Sequence, residues 1–126
     1  MAETRTIVLV GHCGPDMFML KSAIGRAAAD SPIVTVNDSG SLEEYLNNES
    51  VLLVNRELDG SFNTQSGIEL IAHITKEDNP PIAMLISNYE EAQAQAVAAG
   101  ARQGFGKSEL YDESTTEALR EAVGSA

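Results

Sequence analysis

The sequence predicts an α/β protein: a doubly wound, five-stranded parallel sheet of strand order 2-1-3-4-5, with helices on both faces. Three observations predict it. Short apolar runs alternate with segments of helical periodicity along the whole chain, the pattern of a parallel sheet with right-handed crossovers. The run Val51-Leu52-Leu53-Val54 is apolar on both of its would-be faces, as in a central strand covered from both sides. It closes on a polar residue, Asn55, where open α/β sheets place their ligand sites.

The elements follow in order. Thr6 to Val10 is the first strand, broken by Gly11-His12-Cys13-Gly14-Pro15-Asp16. Met17, Leu20, Ile24 and Ala27 recur at helical spacing and predict a helix over 17–29, with Pro15 suited to its first turn. Ile33 to Val36 is the second strand. Ser41-Leu42-Glu43-Glu44 has the spacing of a capping box, a serine oxygen for a free N–H and a glutamate reaching back, and opens a short helix. The third strand, 51–55, is followed by a long loop. Ser66-Gly67-Ile68-Glu69 is a second capping box, starting a helix with Ile68, Ile71, Ala72 and Thr75 turned inward. Pro80-Pro81 forces an extended entry into the fourth strand, Ile82 to Ser87. Asn88-Tyr89-Glu90-Glu91 caps an alanine-rich helix ending at Gly100. Gln103 to Gly106 forms a short fifth strand, and Ser114-Thr115-Thr116-Glu117 opens a last helix through Val123.

The bulk properties bound the function. The 126 residues suit one domain, 1–126, with no linker or repeat to divide them. A single cysteine offers no disulfide, and no apolar run approaches the ~20 residues of a membrane span. With no long apolar leader, the expected location is cytoplasmic. The formal net charge of −11 repels nucleic acid and anionic membranes, which leaves basic or mixed-charge protein surfaces as partners.

The expected strand order gathers Gly11, His12, Cys13, Asn55, Ser87 and Lys107 around one mouth. Here the chain resembles the receiver domains of bacterial two-component response regulators, the chemotaxis-regulator type, which have a flavodoxin-like three-layer sandwich. The matching residues are the strand Ile82 to Ser87, the helix end Ala96-Val97-Ala98-Ala99-Gly100-Ala101, the segment Phe105-Gly106-Lys107, and the helix start Ser66-Gly67-Ile68-Glu69-Leu70-Ile71. The resemblance implies a phosphorylation site, and there the sequence departs from the pattern. The acidic pair after strand 1 falls on Gly11 and His12, and the phosphoacceptor aspartate on Asn55. The switch hydroxyl is matched by Ser87 and the lysine by Lys107, with Ser108 in place of the usual proline. The aromatic switch position falls on Gly104, beside Phe105, and the loop after Asn55 is longer than the family norm.

Phosphoryl transfer to a carboxylate needs an anionic oxygen nucleophile and a divalent metal. An amide at position 55 and no acids at 11 and 12 supply neither, so the expectation is no Mg²⁺, no other cofactor and no catalysis. Without the acids, Lys107, Ser87, the Asn55 amide and His12 would converge as donors, closing a Lys107–Asn55 contact or admitting a small anion. The simpler arrangement is a solvated lysine with two hydrogen-bonded strand-end residues. Asp16, Glu57 and Asp59 read as solvated loop acids, Glu57 or Asp59 being the candidates for a displaced phosphoacceptor. His73 reads as a surface or boundary residue, and the glycines form no dinucleotide-binding pattern.

The resemblance implies a pseudo-receiver that acts by protein–protein contact. The expected partner surface carries Tyr89, Ala92, Ala96, Phe105 and Leu119, with a histidine kinase, another signalling protein, an output domain on another chain or a second copy as candidate partners. The alternative is a phosphocarrier or enzyme using Cys13, since Cys13-Gly14-Pro15-Asp16-Met17 loosely resembles the phosphocysteine loop of sugar-phosphotransferase IIB proteins. It lacks that loop's Ser/Thr-rich cradle. A paired role for His12 and Cys13 is awkward, because neighbours on extended backbone point to opposite sides.

Overall fold

A computed structural model describes residues 5–124 of the chain. Five strands, β1 (Thr6–Val10), β2 (Ile33–Val36), β3 (Ser50–Asn55), β4 (Ile82–Ile86) and β5 (Arg102–Phe105), form one parallel sheet of order β2-β1-β3-β4-β5. The expected topology is the observed one. Five helices join or follow them: α1 (Gly14–Ala27), α2 (Ser39–Leu42), α3 (Gly67–Ile74), α4 (Glu90–Ala98) and α5 (Glu113–Gly124). No helix among the described residues is long and apolar enough to cross a membrane.

Alternation along the strands divides the core into two layers, because successive strand side chains face opposite sides. Ile7, Leu9, Val51, Leu53, Met84 and Ile86 pack against Leu20 and Ile24 of α1 and Leu119 and Val123 of α5. Val8, Val10, Leu52, Val54 and Leu85 pack against Leu42 of α2, Ile71 and Ile74 of α3, and Ala92 and Ala96 of α4. The β3 run from Val51 to Val54 is fully buried, as a strand covered on both faces must be.

Helix starts differ from the sequence expectation for identifiable reasons. α1 begins at Gly14, not Met17: Cys13 holds the extended N-cap conformation and Pro15 fits the first turn, where its missing N–H costs nothing. α2 is capped by Asp38, whose carboxylate accepts from Ser41 N at 2.7 Å and from Ser41 Oγ at 2.9 Å. The Ser41 hydroxyl is thereby used up, and Glu43–Tyr45 continue as a 3₁₀ turn. Ser66 caps α3 as expected, accepting from Glu69 N, but the return half of the box runs through Thr64: its hydroxyl donates to Glu69 and accepts from Ser66 N. The buried face of α3 is Ile71 and Ile74, with Ile68, Ala72 and Thr75 half-buried.

Asn88 does not cap α4. Its side-chain oxygen accepts from Ser108 N and Oγ instead, and Tyr89 takes the N-cap position without a side-chain bond. β5 sits one residue earlier than expected and slips against β4: Met84 pairs with Arg102 but Ile86 with Phe105, so three steps of β5 span two of β4.

Candidate functional site

The C-terminal ends of β1 and β3 meet as the topology requires, and Gly11, His12, Asn55, Ser87 and Lys107 all lie at that mouth or just behind it. Asn55, Ser87 and Lys107 line one cavity of about 470 Å³, with Ile86, Asn88 and Tyr89, as expected, whereas Gly11 and His12 stay outside it. Each side chain is already engaged, and the engagements are with the protein's own backbone or with one acid.

Asn55 faces two carbonyls. Its Nδ2 donates to Gly11 O at 3.0 Å and to Glu57 O at 2.7 Å. Two acceptor partners fix the amide orientation, because only the N–H₂ end can donate. Asn55 thus ties the end of β3 to the end of β1 and to its own following loop.

Gly11 ends β1 with φ of 72°, a left-handed conformation that disfavours any L side chain. Its missing side chain is replaced by a neighbour. A Cβ at Gly11 would lie 2.6 Å from Leu58 Cδ2 and 3.1 Å from Leu58 Cα, so Leu58 of the long loop fills that space.

His12 is fully buried, and Nε2 lies 2.8 Å from Leu53 O. A carbonyl only accepts, so Nε2 carries the proton and Nδ1 holds the lone pair in the neutral ring. Nδ1 has no partner among the described residues. Burial pushes the His12 pKa below its usual value; the Leu53 bond opposes this, nearby Lys107 adds to it, and Asp16 opposes it. His12 is therefore a neutral core residue, not a donor at the mouth.

Lys107 pairs with Asp16 of α1. This corrects two expectations: Lys107 contacts neither Asn55 nor open solvent alone, and Asp16 is not a free loop acid. The Lys107 ammonium beside it holds the Asp16 carboxyl below the usual carboxylate range, with a smaller contribution from a Cys13 hydrogen bond. The pair is partly solvent-exposed, so its coupling in an Asp16→Asn/Lys107→Met double-mutant cycle is expected to be about 0.5–1 kcal/mol. Because the folded pKa of Asp16 is depressed, that contribution is present above pH ~3.8 and fades as pH falls through the carboxylate range. NMR titration of Asp16 in Lys107→Met should show its pKa rising.

Ser87 is buried, and its Oγ accepts from Tyr89 N at 3.1 Å, turning the chain into α4. Beside it stands Gln93, a residue the sequence reading passed over. Gln93 is buried on α4; its Nε2 donates to Leu85 O and Ser87 O, and its Oε1 accepts from Gly104 N. One amide thus clasps α4 to β4 and β5 at the slipped register. No side chain fits at Gly104, where a Cβ would lie 2.0 Å from Leu85 O. Position 104, which the resemblance aligns with an aromatic residue, is therefore closed to any side chain.

The expected partner surface is largely interior. Ala92, Ala96 and Leu119 are buried because the helix faces that carry them pack on the sheet, and Phe105, the last residue of β5, is buried in the core layer beneath α1 and α5. Tyr89 alone of that set is exposed, at 64%, with the Arg56 guanidinium 5.1 Å above its ring. Ala94, Val97 and Ala98 form the outward face of α4. Glu57 and Asp59 are exposed, and Glu57 lies 3.6 Å from Arg56. Cys13 is exposed at the N-cap of α1 and is followed by Gly14 and by Pro15, which has no N–H to offer an anion.

The Mg²⁺ that the resemblance implies does not fit these residues. Mg²⁺ takes hard oxygen ligands. Position 11 has no side chain, His12 is buried and bonded, and Asn55 turns its N–H₂ towards the two carbonyls. Among the described residues no three His, Cys, Asp or Glu side chains come together.

No protein-family model matches the chain, and no curated protein sequence is detectably similar to it. Solved structures are similar in shape. The signal receiver domain of a DNA-binding response regulator (merR) from Colwellia psychrerythraea 34H matches with a TM-score of 0.69 at 16% identity, over 93% of this chain and 96% of that one. A LuxR-family DNA-binding response regulator from Staphylococcus aureus gives 0.67 at 19% identity, over 94% and 98%. The bacteriophytochrome response regulator AtBRR gives 0.64 at 18%, over 97% and 94%. Matches so complete in length and so low in identity speak for shape: this chain has the flavodoxin-like fold of the response-regulator receiver domains of two-component signalling.

Proposed function

We propose that this chain is a pseudo-receiver: a signalling module that takes no phosphate at position 55 and works by contact with other proteins. One observation carries the reading. Asn55 stands at the end of β3, and its amide is spent on Gly11 O and Glu57 O. Similar folds include the phosphorylated cyanobacterial phytochrome response regulator RcpA and a Burkholderia pseudomallei response regulator with a phosphorylated aspartic acid and a calcium ion. The chemistry at such an aspartate needs an anionic nucleophile and a cation to offset phosphate charge. Asn55, Gly11 and His12 offer neither.

The partners this reading implies are a histidine kinase or other signalling protein, an output domain, or a second copy. Contact falls on the exposed face of α4, around Tyr89 and Val97, and not on the buried residues beneath it. A net charge of −11 favours a basic or mixed-charge protein surface over nucleic acid or membrane, and a cytoplasmic setting goes with the reading. The unit is the 126-residue chain taken as one receiver-like domain.

A second reading is favoured by one observation, the exposure of Cys13 at the start of the fourteen-residue α1: a thiol phosphocarrier. A single experiment separates the readings. The chain is incubated with acetyl phosphate and Mg²⁺, and its mass is measured intact and after digestion. No phosphate adduct is the expected result. An acid-stable, base-labile acyl phosphate mapped to residues 55–59 overturns the pseudo-receiver reading, and an acid-labile, base-stable thiophosphate on Cys13 establishes the carrier.

A further inference from the structure

The loop between β3 and α3, residues 56–66, is long, yet it is bound to the sheet's mouth at several separate points. Leu58 is 9% exposed and lies over Gly11. Leu58 N donates to Gln65 O at 2.8 Å across the neck of the loop, where Glu57 and Ser66 also form an antiparallel bridge. Asp59 N donates to Gly11 O at 2.9 Å, the same carbonyl that accepts from Asn55. Farther out, Ser61 N donates to Asn37 O at 2.8 Å and Ser39 N to Ser61 O at 3.1 Å, so the loop also grips the chain leaving β2. Gly60 makes that approach possible: its φ is 118°, and a Cβ there would lie 2.2 Å from Asn37 O.

From these contacts we infer that loop 56–66 is a resident plug, which closes the β1–β3 mouth with the chain's own backbone and Leu58, and that Asn55 is its fastening. The inference deepens the pseudo-receiver reading and builds on it. The space over β1 where an acidic side chain would stand is filled by Leu58. The position-55 side chain holds the plug's first turn through Glu57 O and the plug's landing point through Gly11 O. Asparagine suits that role and aspartate does not, because both partners are acceptors. The residue that rules out phosphate chemistry is thus the one that fastens the loop over the end of β1, while the cavity on the β4 side, lined by Asn55, Ser87 and Lys107, stays open. A one-residue reversion would not uncover the end of β1, since Leu58 and the Gly11 conformation would remain.

Native-state hydrogen exchange tests this directly. In the wild-type chain the Leu58, Asp59 and Ser61 amides should be protected, although they lie in a loop with exposed neighbours. Asn55→Ala should speed exchange at Leu58 and Asp59 by about tenfold or more, the effect of losing one or two hydrogen bonds, with the Leu53 and Leu85 amides of the sheet still protected. Gly11→Ala should do the same by a different route, pushing Leu58 aside while leaving Asn55 intact. Loop amides that exchange freely in the wild type, or that neither variant accelerates, would overturn the plug. The two readings fail separately. A protected loop in a chain that takes phosphate on Glu57 would keep the plug and sink the pseudo-receiver, whereas an unprotected loop in a chain that takes none would do the reverse.

Discussion

Asn55→Asp should destabilise the protein by roughly 1–3 kcal/mol at neutral pH and should gain no Mg²⁺ affinity. The substitution is close to isosteric, so it leaves packing alone and changes only hydrogen bonding. The amide now donates to Gly11 O and Glu57 O at 3.0 and 2.7 Å. An ionised carboxylate would turn oxygen lone pairs towards both carbonyls, losing two bonds and adding repulsion. That environment disfavours the charged form, so the pKa of the introduced carboxyl rises on folding. Its protonated form can still donate once. Relative to wild type, the variant should therefore be least destabilised below about pH 4, with the penalty growing as pH rises through the raised folded pKa. Urea denaturation from pH 3 to 7 reads this difference, and isothermal titration with Mg²⁺ reads the metal. A variant as stable as wild type, or one that binds Mg²⁺ near a receptor-like stoichiometry of one, would show that the mouth is open.

His12→Ala should cost on the order of 2–4 kcal/mol, because it empties a fully buried volume and leaves Leu53 O without its donor. The more informative variant is His12→Gln, whose amide can still donate to Leu53 O but does not titrate. Burial holds the folded pKa of His12 below 6.5, with Lys107 lowering it further and Asp16 and the Leu53 bond opposing. The unfolded chain thus takes up a proton first. The stabilisation from a neutral His12 is complete above pH 6.5 and is lost as pH falls below it towards the folded pKa. Wild type should lose stability over that window more steeply than His12→Gln, the other acids being common to both. Parallel curves would place His12 in contact with water, contrary to its burial.

Much of the fold was legible in the sequence because its signals are local. The Val51 to Val54 run announces a strand with no polar face, and all four residues are fully buried. Pro80-Pro81 and Gly100 mark boundaries through their own backbone restrictions. The misplaced caps share a cause: several acceptors stood within reach of each helix start, and only the fold chose among them. Ser41 has the spacing of a cap, but Asp38 leaves β2 in position to take both its N–H and its hydroxyl. Asn88 has the side chain of a cap, but Ser108 comes across from beyond β5 to claim it.

The same division runs through the site. The sequence by itself determined that the mouth carries an amide at position 55, a glycine and a histidine at 11 and 12, and a lysine at 107, since the strand order follows from the alternation of elements. It thereby determined that no carboxylate stands at positions 11, 12 or 55. What those residues do instead was decided only by tertiary structure. Leu58 over Gly11, Asp16 on Lys107, Gln93 across Leu85 and Gly104, and His12 turned into the core on Leu53 all join residues brought together by folding, and no periodicity or motif encodes such pairings. Ala92, Ala96, Phe105 and Leu119 make the point from the other side: their composition suited a contact surface, but packing between the helices and the sheet buries them. Local chemistry sets which side chains are present at a strand end; the chain's return across that end sets which of them remain free.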